Sequence, residues 1–315
     1  PSEDMLQNFE RIRDYPVLPR LRMGLVEEFY ESLPREGLPT YVGEMYLELH
    51  RATLTTQALV KQLNRQAEHR MVEAEAFSAI ASLEGHEYPT TTLDAAWQDL
   101  LYNQFHDVLP GSSIHEVYED THPQLREVVA TAVAARDGAL ASLTGGGTDT
   151  FAISITDINP RPLTAVLPEG ADPGSLPSQQ VEGGVLVHDP GTTVGGFGTT
   201  IVGAVTEHHE NRGLGVVVTS TDGVTRLEND VLVVEIGADG TLHRVFDKRA
   251  NRETLSDRGN QLWAYMDRPR SWDAWDIDET YTNAGLEITD VDSIEIVEEG
   301  PLRAAVRVTR SWRSS

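Results

Sequence analysis

Apolar residues recur at three- and four-residue steps along much of the first half of the chain, with Arg, Gln and Glu between them. This spacing is typical of helices that bury one face. It predicts a long helix over His50–Leu83, a second over Leu93–Leu109 and a third over Ser113–Leu143. Because the connections are short, the three helices are expected to pack as an antiparallel three-helix bundle.

Local signals predict where these helices begin and end. Thr91-Thr92 offers N-caps for the second helix, and Pro110-Gly111 is expected to stop it. Ser113 and Glu116 have the spacing of a capping box at the start of the third helix. Pro123 lies inside that third stretch, where it is expected to kink the helix or split it in two.

Beyond the glycine-rich break at Thr144–Thr148 the pattern changes to short β-branched runs separated by Gly, Pro, Asn and Asp. No comparable helix interrupts these runs, which predicts an antiparallel β-sandwich. Leu227–Phe246, with Asp239-Gly240 at its turn, is typical of a β-hairpin with a structural role. The candidate strands are Phe151–Ile155, Val185–His188, Thr199–Val205, Leu214–Thr219, Val231–Ile236, Leu242–Phe246, Gln261–Tyr265 and Leu302–Trp312.

The expected fold class is therefore a multidomain α and β protein, with a three-helix bundle followed by an antiparallel β-sandwich. We expect domains at residues 1–49, 50–144 and 145–315. The first is broken by four prolines and is too short for a core of its own. Because the chain starts with Pro1-Ser2 and not with an initiator methionine, and the last predicted strand ends almost at the terminus, the chain is expected to be truncated at both ends.

Charge narrows the choice of partners. Fifty acidic residues against 25 basic ones give a net charge of −25, which repels phosphate backbones and anionic lipid. Neither nucleic acid nor a membrane is therefore an expected partner, and solubility is the usual reason for such an excess. Cysteine is absent, so disulfides and thiolate metal sites are excluded and a cytoplasmic location is favoured. A metal would need His and carboxylate ligands.

One histidine stands out by its position on the second predicted helix. At 100° per residue the apolar residues of that helix, which include Leu101 and Phe105, share one arc, and His106 points about 170° away from its centre. Such a histidine does not fill the core of the bundle. Either it is an ordinary exposed residue, or this face docks on another domain and supplies it with a ligand.

The string around this histidine, Tyr102-Asn103-Gln104-Phe105-His106-Asp107-Val108-Leu109-Pro110-Gly111, closely resembles the middle-domain motif of the zinc-dependent α-mannosidases of glycoside hydrolase family 38. The similarity is greatest to the bacterial and cytosolic branch. Matching blocks follow in the same order along most of the chain. They are Gly43–Arg51 with Thr53, Thr55 and Thr56, then Leu227–Asp230, Asp239-Gly240, Val245–Lys248 and Trp272–Asp276.

The resemblance implies that His106 is a zinc ligand and that Asp107 contacts the hydroxyl groups of mannose. In that family the other zinc ligands, including the nucleophile, lie in an N-terminal barrel and include a His-x-Asp string, which this sequence lacks. Barrels of this kind need about 250 residues, so residues 1–49 are expected to be the end of one. The whole enzyme would retain configuration through a covalent mannosyl intermediate. This chain alone is expected to be inactive.

Three further clusters have chemistry of interest. The loop with two indoles and two carboxylates is suited to stack on and hydrogen-bond a sugar, or alternatively to seal a domain interface; its residues are Trp272, Asp273, Trp275 and Asp276. His50-Arg51 is expected either at an interface or beside the substrate. Glu207–Glu210, which contains two adjacent histidines, has the composition of a metal site, but a surface loop is favoured because neighbouring residues diverge on a strand.

Two functions from different classes follow. In the first, the chain is part of a zinc α-mannosidase, with a mannoside or mannose-containing glycan as substrate and the missing N-terminal catalytic domain as partner. A small mannosyl ester or ether is an alternative substrate. In the second, the chain is a stand-alone carbohydrate-binding or scaffolding module that recognises glycans through Trp272 and Trp275.

Overall fold

The computed structural model describes residues 2–43, 45, 48–145, 152–201 and 215–312. The chain is a mixed α and β protein in which every pairing between described strands is antiparallel. It divides into two compact units, residues 1–46 and residues 47–315. In the described residues no helix is long and apolar enough to cross a membrane.

The first unit contains two short helices, α1 (Glu3–Ile12) and α2 (Val26–Ser32). The side chain of Ser2 caps α1 by accepting a hydrogen bond from the backbone N–H of Met5. Neither helix buries a residue. Many large apolar side chains of this unit face solvent, among them Met5, Leu6, Tyr15, Val17, Leu25, Val26, Phe29 and Tyr30.

The second unit begins with three helices, α3 (Ala58–Ser82), α4 (Thr90–Asn103) and α5 (His115–Thr144). They share one core, to which α3 contributes the largest number of side chains. Its centre is free of charge, but one buried carboxylate, that of Glu73 on α3, lies at the α3–α5 contact and accepts hydrogen bonds from Arg70 and Arg136. The core residues are Val60, Leu63, Ala67, Met71, Ala74, Leu93, Ala96, Leu100, Tyr118, Leu125, Val128 and Ala132.

The helix ends differ from those expected from the pattern. The prediction that the first long helix starts at His50 was wrong, because residues 52–54 form a 3-10 turn and Gln57 adopts a left-handed conformation with φ 53°. In this segment, threonine hydroxyls donate hydrogen bonds to backbone carbonyls. Thr53 donates to the His50 carbonyl at 2.6 Å and Thr56 to the Ala52 carbonyl at 2.8 Å. The segment 50–57 is therefore an ordered turn before the helix.

The expected caps were also wrong. Helix α4 begins at Thr90 after Pro89, with no side-chain cap, and not after Thr91-Thr92. The N-cap of α5 is Ile114, while the hydroxyl of Ser113 turns back to the carbonyl of Asp107. Helix α5 continues through its internal proline as a single helix, so that proline does not split it. It ends at Gly145, which is left-handed with φ 74°.

The β part consists of short strands in five small sheets. Strand pairing is in the order β2-β4-β3, β10-β9-β8-β7-β6, β1-β5, β11-β12 and β13-β14. The strands are β1 (Ala152–Ser154), β2 (Arg161–Leu167), β3 (Ser178–Val181), β4 (Gly184–Val194), β5 (Thr199–Ile201), β6 (Val217–Thr221), β7 (Val224–Glu228), β8 (Leu232–Ile236), β9 (Leu242–Asp247), β10 (Arg252–Glu253), β11 (Trp263–Tyr265), β12 (Gly285–Glu287), β13 (Ser293–Glu298) and β14 (Ala305–Thr309).

The expected hairpin at Asp239-Gly240 is confirmed, since β8 pairs with β9 and Gly240 has φ +67° at the turn. A Cβ at Gly240 would lie 2.6 Å from a methyl carbon of Val308, so glycine is also needed for close packing. Burial raises the pKa of the Asp239 carboxyl, but hydrogen bonds from Thr241 and Arg258 outweigh it and hold the pKa well below its usual range. This network pins the turn to the strands around it.

The apolar centre of the β part lies between the three-stranded sheet and the β1-β5 pair. It contains Ile153, Ile155, Leu163, Leu167, Leu176, Val185, Val187 and Val194. The five-stranded sheet is largely half-buried or exposed in the described chain. A buried side-chain amide joins two segments that are distant in sequence. Gln179 on β3 accepts hydrogen bonds from the backbone N–H groups of Leu302 and Arg303 at 2.9 Å each.

Candidate functional site

His106 lies in a turn and not on a helix. Helix α4 ends at Asn103, and residues 104–111 form a run of turns that leads to α5. The prediction of a helix continuing to Leu109 was therefore wrong, although His106 does point away from the helical core. The helical projection assigned Leu101 and Phe105 to the core face, but Leu101, still within α4, is 59% exposed and Phe105, beyond the end of α4, is 57% exposed.

Two amide side chains fix the start of this turn. Asn103 is buried and donates to the carbonyl of Asp99 at 2.9 Å and to the side chain of Gln124 on α5 at 3.0 Å. Gln104 donates to the side chains of Asn64 and Glu68 on α3, both at 3.0 Å. The turn is thus hydrogen-bonded to both neighbouring helices immediately before His106.

The far side of the turn is held against the start of α3. The ammonium group of Lys61 donates to three backbone carbonyls, those of Leu109 and Pro110 at 3.0 Å and that of Thr56 at 2.5 Å. Burial lowers the pKa of Lys61. Gly111 has φ +90°, and a Cβ there would lie only 2.3 Å from the carbonyl oxygen of Thr56. The backbone of the turn therefore approaches the segment 50–57 as closely as glycine permits.

Helix α5 supports the same turn through the buried Tyr118. The Tyr118 hydroxyl accepts a hydrogen bond from the backbone N–H of Ser113 at 3.0 Å. It also lies 3.3 Å from the carbonyl oxygen of Val108 and 3.4 Å from that of Asp107. The Ser113 hydroxyl donates to the Asp107 carbonyl at 2.7 Å. The backbone that follows His106 is thus held by Lys61, Ser113 and Tyr118.

In contrast to this anchored backbone, the side chains of the turn face outward. The His106 side chain is 75% exposed and that of Asp107 is 44% exposed, with the imidazole Nε2 3.4 Å from a carboxylate oxygen of Asp107. The Phe105 ring lies beside the imidazole, with centroids 4.2 Å apart. Four large apolar side chains close to the pair in sequence are also exposed, namely Leu101, Tyr102, Phe105 and Ile114. Exposed apolar side chains in one stretch of chain are typical of a surface that meets other protein.

The donor set of the turn can contribute to a metal site. One imidazole and one carboxylate are ligand types that zinc accepts, but four-coordinate zinc needs more donors than these two. Among the residues that the structure describes, no three His, Cys, Asp or Glu side chains converge on one point. Glu207–Glu210 lies outside the described residues.

The two tryptophans of the aromatic loop have different surroundings. The indole of Trp275 packs edge-on against the His50 ring, with centroids 5.0 Å apart, and its carbonyl accepts from the backbone N–H of Ala52 at 3.0 Å. Trp275 thus joins the loop to the segment 50–57. The indole of Trp272 is 63% exposed, and its backbone has φ +65°, an uncommon conformation for a bulky residue.

A cleft of about 500 Å³ opens beside Trp272. Its walls include Arg51, Arg270 and Asp276. One carboxylate oxygen of Asp276 is buried without a hydrogen-bond partner in the described chain, although Arg51 lies 3.7 Å away. Hydrogen bonds from the backbone and hydroxyl of Thr280 lower the pKa of Asp278, which also lines the cleft. The cleft therefore offers an indole face, hydrogen-bond acceptors and guanidinium donors.

The structure brings the sequence-predicted residues into two groups. His106 and Asp107 share one turn, and Trp272, Asp273, Trp275 and Asp276 share one loop. Both groups contact the segment 50–57, the turn through Thr56 and the loop through Ala52. In the part of the chain that is described, no hydrogen bond, ion pair or ring contact joins the two groups directly. His50 and Arg51 lie at the interface with the loop.

Sequence patterns missed the residues that hold the turn. Gln104 lies inside the motif and Tyr118 lies on the third predicted helix, but no local pattern predicts their contacts. Lys61 had one available signal, since it is one of only two lysines in a chain of 25 basic residues. A retained lysine in so arginine-rich a chain can mark a position where the ammonium geometry matters.

Two models of protein families match this chain. The α-mannosidase middle domain matches residues 48–143, which include the His106 turn and the helices that hold it. The C-terminal domain of glycosyl hydrolase family 38 matches residues 227–315, which include the aromatic loop. The two matches together cover more than half of the chain.

Known α-mannosidases are similar over most of the chain. The α-mannosidase 2C1 of Mus musculus is 30% identical over 287 residues, 88% of this chain and 26% of its own length. The α-mannosidase of Saccharomyces cerevisiae is 30% identical over 324 residues, 98% of this chain and 27% of its own length. The chain thus spans about a quarter of the curated relatives it matches.

A solved structure shares the fold. The crystal structure of an α-mannosidase from Enterococcus faecalis V583 aligns with a TM-score of 0.60 over 90% of this chain and 38% of that one. The identity is 16%, so this likeness concerns the arrangement of the backbone alone.

Proposed function

Because the chain belongs to glycosyl hydrolase family 38, we propose that it is the middle and C-terminal part of a retaining, zinc-dependent α-mannosidase that hydrolyses terminal α-mannosides. In this proposal the partner is an N-terminal catalytic domain that carries the nucleophile and the other zinc ligands. This proposal is supported by the lengths of the two α-mannosidases, because the matched region is only about a quarter of each of them. A cytoplasmic location rests only on the lack of cysteine.

The domain organisation follows the same proposal. We assign residues 1–49 to the end of the catalytic barrel, residues 50–144 to a three-helix bundle and residues 145–315 to an antiparallel β-sandwich that is incomplete here. The shared core of α3, α4 and α5 supports the bundle. The exposed apolar side chains of α1 and α2 support the first assignment, because such surfaces need a partner to cover them.

One observation carries the role of His106. Its imidazole is 75% exposed, while the turn that presents it is hydrogen-bonded to α3 and α5. A rigid support with an outward-facing donor is what a ligand for a metal in a neighbouring domain requires. The exposed apolar side chains near His106 in sequence, with the Phe105 ring beside the imidazole, would form the surface on which that domain docks. When bound, zinc would hold and polarise substrate oxygens.

The substrate contacts are assigned to two places. Asp107, next to His106 and half-exposed, would accept hydrogen bonds from mannose hydroxyls at the zinc. In the aromatic loop, Trp272 would stack on the apolar face of a sugar, with Asp273 and Asp276 as acceptors. Trp275 is assigned to the contact between the aromatic loop and the segment 50–57, and its packing on His50 supports this assignment.

Activity of the isolated chain tests this proposal. The 315-residue chain is expected to release no chromogenic aglycone from an α-mannoside, with or without added zinc, because one imidazole cannot complete the site. The full-length protein is expected to do so, and His106→Ala is expected to abolish that turnover while leaving the fold intact by circular dichroism. Turnover by the isolated chain that His106→Ala abolishes would contradict the proposal.

The exposed indole of Trp272 also supports a second candidate function, that of a stand-alone module that binds carbohydrate. In that case the 315-residue chain itself would bind a mannose oligosaccharide in isothermal titration, and Trp272→Ala would remove the binding. If the chain is instead part of a mannosidase, the isolated chain is expected to have no measurable affinity for the oligosaccharide. In the full-length enzyme, Trp272→Ala is instead expected to raise KM, with a matched change at the interface residue, Trp275→Phe, affecting stability more than KM.

A further inference from the structure

The ammonium group of Lys61 is the point where the His106 turn meets the start of α3. Its three acceptors are backbone carbonyls from two separate segments, Thr56 on one side and Leu109 and Pro110 on the other. The two segments are 53 and 54 positions apart, yet one cation links them. Removing it would leave three carbonyls facing one another without a donor.

An ammonium group suits this arrangement better than a guanidinium group. It carries three hydrogen-bond donors around a single nitrogen, whereas the donors of arginine lie in a plane on a fork. The chain contains 25 basic residues and only two are lysines. The other one, Lys248, likewise donates to a backbone carbonyl, that of Asn229 at 2.7 Å, and pairs with Glu228 at 2.6 Å.

Lys61 cannot itself reach a ligand at the imidazole, because its nitrogen is occupied by carbonyls three and four residues further along the turn. Its influence must pass through the backbone. The Gly111 contact with Thr56 shows how little clearance there is between the segments, since a Cβ would come within 2.3 Å. Any repulsion between the unpaired carbonyls would push the turn outward and shift His106 with it.

We propose that Lys61 is a positioning residue for the zinc site, which sets the location of the His106 imidazole by tying the Leu109 and Pro110 carbonyls to that of Thr56. This inference rests on the proposed function, because it assumes that His106 binds zinc in the full-length enzyme. It assigns to Lys61 no contact with substrate or metal.

The test measures zinc affinity of the full-length enzyme by competition with a chromophoric chelator. Lys61→Met keeps the length of the stem but removes the donors, and is expected to weaken zinc binding by about tenfold, the lower range for residues that orient metal ligands. Lys248→Met removes the other lysine and its backbone hydrogen bond, and is expected to leave zinc affinity unchanged. Both variants are expected to lower the melting temperature, so the melting temperature reports the structural role alone.

His106→Ala separates this inference from the function on which it rests. If His106→Ala leaves zinc affinity unchanged, the proposed function is wrong and the inference is wrong with it. If His106→Ala weakens zinc binding but Lys61→Met binds zinc as tightly as Lys248→Met, only the positioning role is wrong. If Lys61→Met does not fold, Lys61→Arg, which keeps the charge and most of the stem, takes its place, with the same expectation of weaker zinc binding and the same contradicting result.

Discussion

At the level of single residues, the turn at His106 combines an exposed side chain with a backbone that is held by hydrogen bonds. The imidazole is in solvent, yet backbone carbonyls that follow it have partners on α3 and α5, and the side chains of Asn103 and Gln104 before it bond to the same two helices. Substitutions of the supporting residues are therefore expected to change both the stability of the protein and the position of the imidazole.

Gly111→Ala is expected to lower the free energy of unfolding of the 315-residue chain by about 2–3 kcal/mol. The residue has φ +90°, and the new Cβ would lie 2.3 Å from the Thr56 carbonyl oxygen. Urea unfolding followed by circular dichroism measures the change.

Gly138→Ala is the matched control. Gly138 lies within α5 and a Cβ there meets nothing within 4 Å, so alanine is expected to raise stability by about 0.5–1 kcal/mol. Equal effects of the two substitutions would contradict the close approach at Gly111.

Local patterns selected His106 and Asp107 as candidate site residues and placed the two tryptophans in a loop, and the function of these residues stays a prediction. The helical projection failed beyond Asn103, because the 100° step applies only while the helix continues and nothing between Gln104 and Leu109 is a strong helix breaker. The contacts of Lys61 and Tyr118 depend on chain segments that are distant in sequence, which no local pattern contains.

At the scale of elements, periodicity identified three helices and most of the longer strands, but not their ends. Helix α5 passes through Pro123 because its packing against α3 compensates the missing hydrogen bond, a tertiary effect that local propensity does not include. Strands β2, β7 and β13 were missed, although the alternation of apolar and charged residues in β13 is itself typical of a strand, and β2 begins with Arg-Pro.

Helix α5 also contains a pH-sensitive position, His122. Burial, together with the cation of Arg126, lowers the pKa of His122, and its Nε2 is buried without a hydrogen-bond partner in the described chain. Below the ordinary value of 6.5 the unfolded chain takes up a proton that the folded chain resists. The free energy of unfolding is therefore expected to fall as the pH is lowered from about 7 through this ordinary value.

Urea unfolding at a series of pH values checks this prediction. His122→Phe keeps a ring beside Tyr118 and is expected to flatten the slope, while Arg126→Gln, which removes only the cation, is expected to reduce it in part. A slope that is the same in wild type and His122→Phe would show that another group causes it.

At the scale of the whole molecule, the distribution of apolar surface distinguishes the two compact units. Residues 47–315 enclose cores in both their helical and their β parts. In residues 2–43 the large apolar side chains face solvent, and the two helices bury none. Such a segment is expected to gain its structure by packing against more protein.

Limited trypsin digestion tests this expectation. In the 315-residue chain, cleavage after Arg13, Arg20 and Arg22 is expected to precede cleavage within α3–α5, because exposed segments without a core open easily. In the full-length protein the same three sites are expected to be protected. Equal cleavage rates at these sites in the two proteins would contradict a barrel that covers the segment, with urea-denatured samples as the control for intrinsic rates.

We propose that the His106 imidazole completes a zinc site in the full-length protein. Anomalous diffraction at the zinc edge from crystals of that protein would show the metal itself. A zinc atom is expected about 2.0–2.1 Å from a ring nitrogen of His106, with the remaining ligands from outside residues 1–315. A zinc atom coordinated only by other residues, with the His106 ring still in solvent, would contradict it.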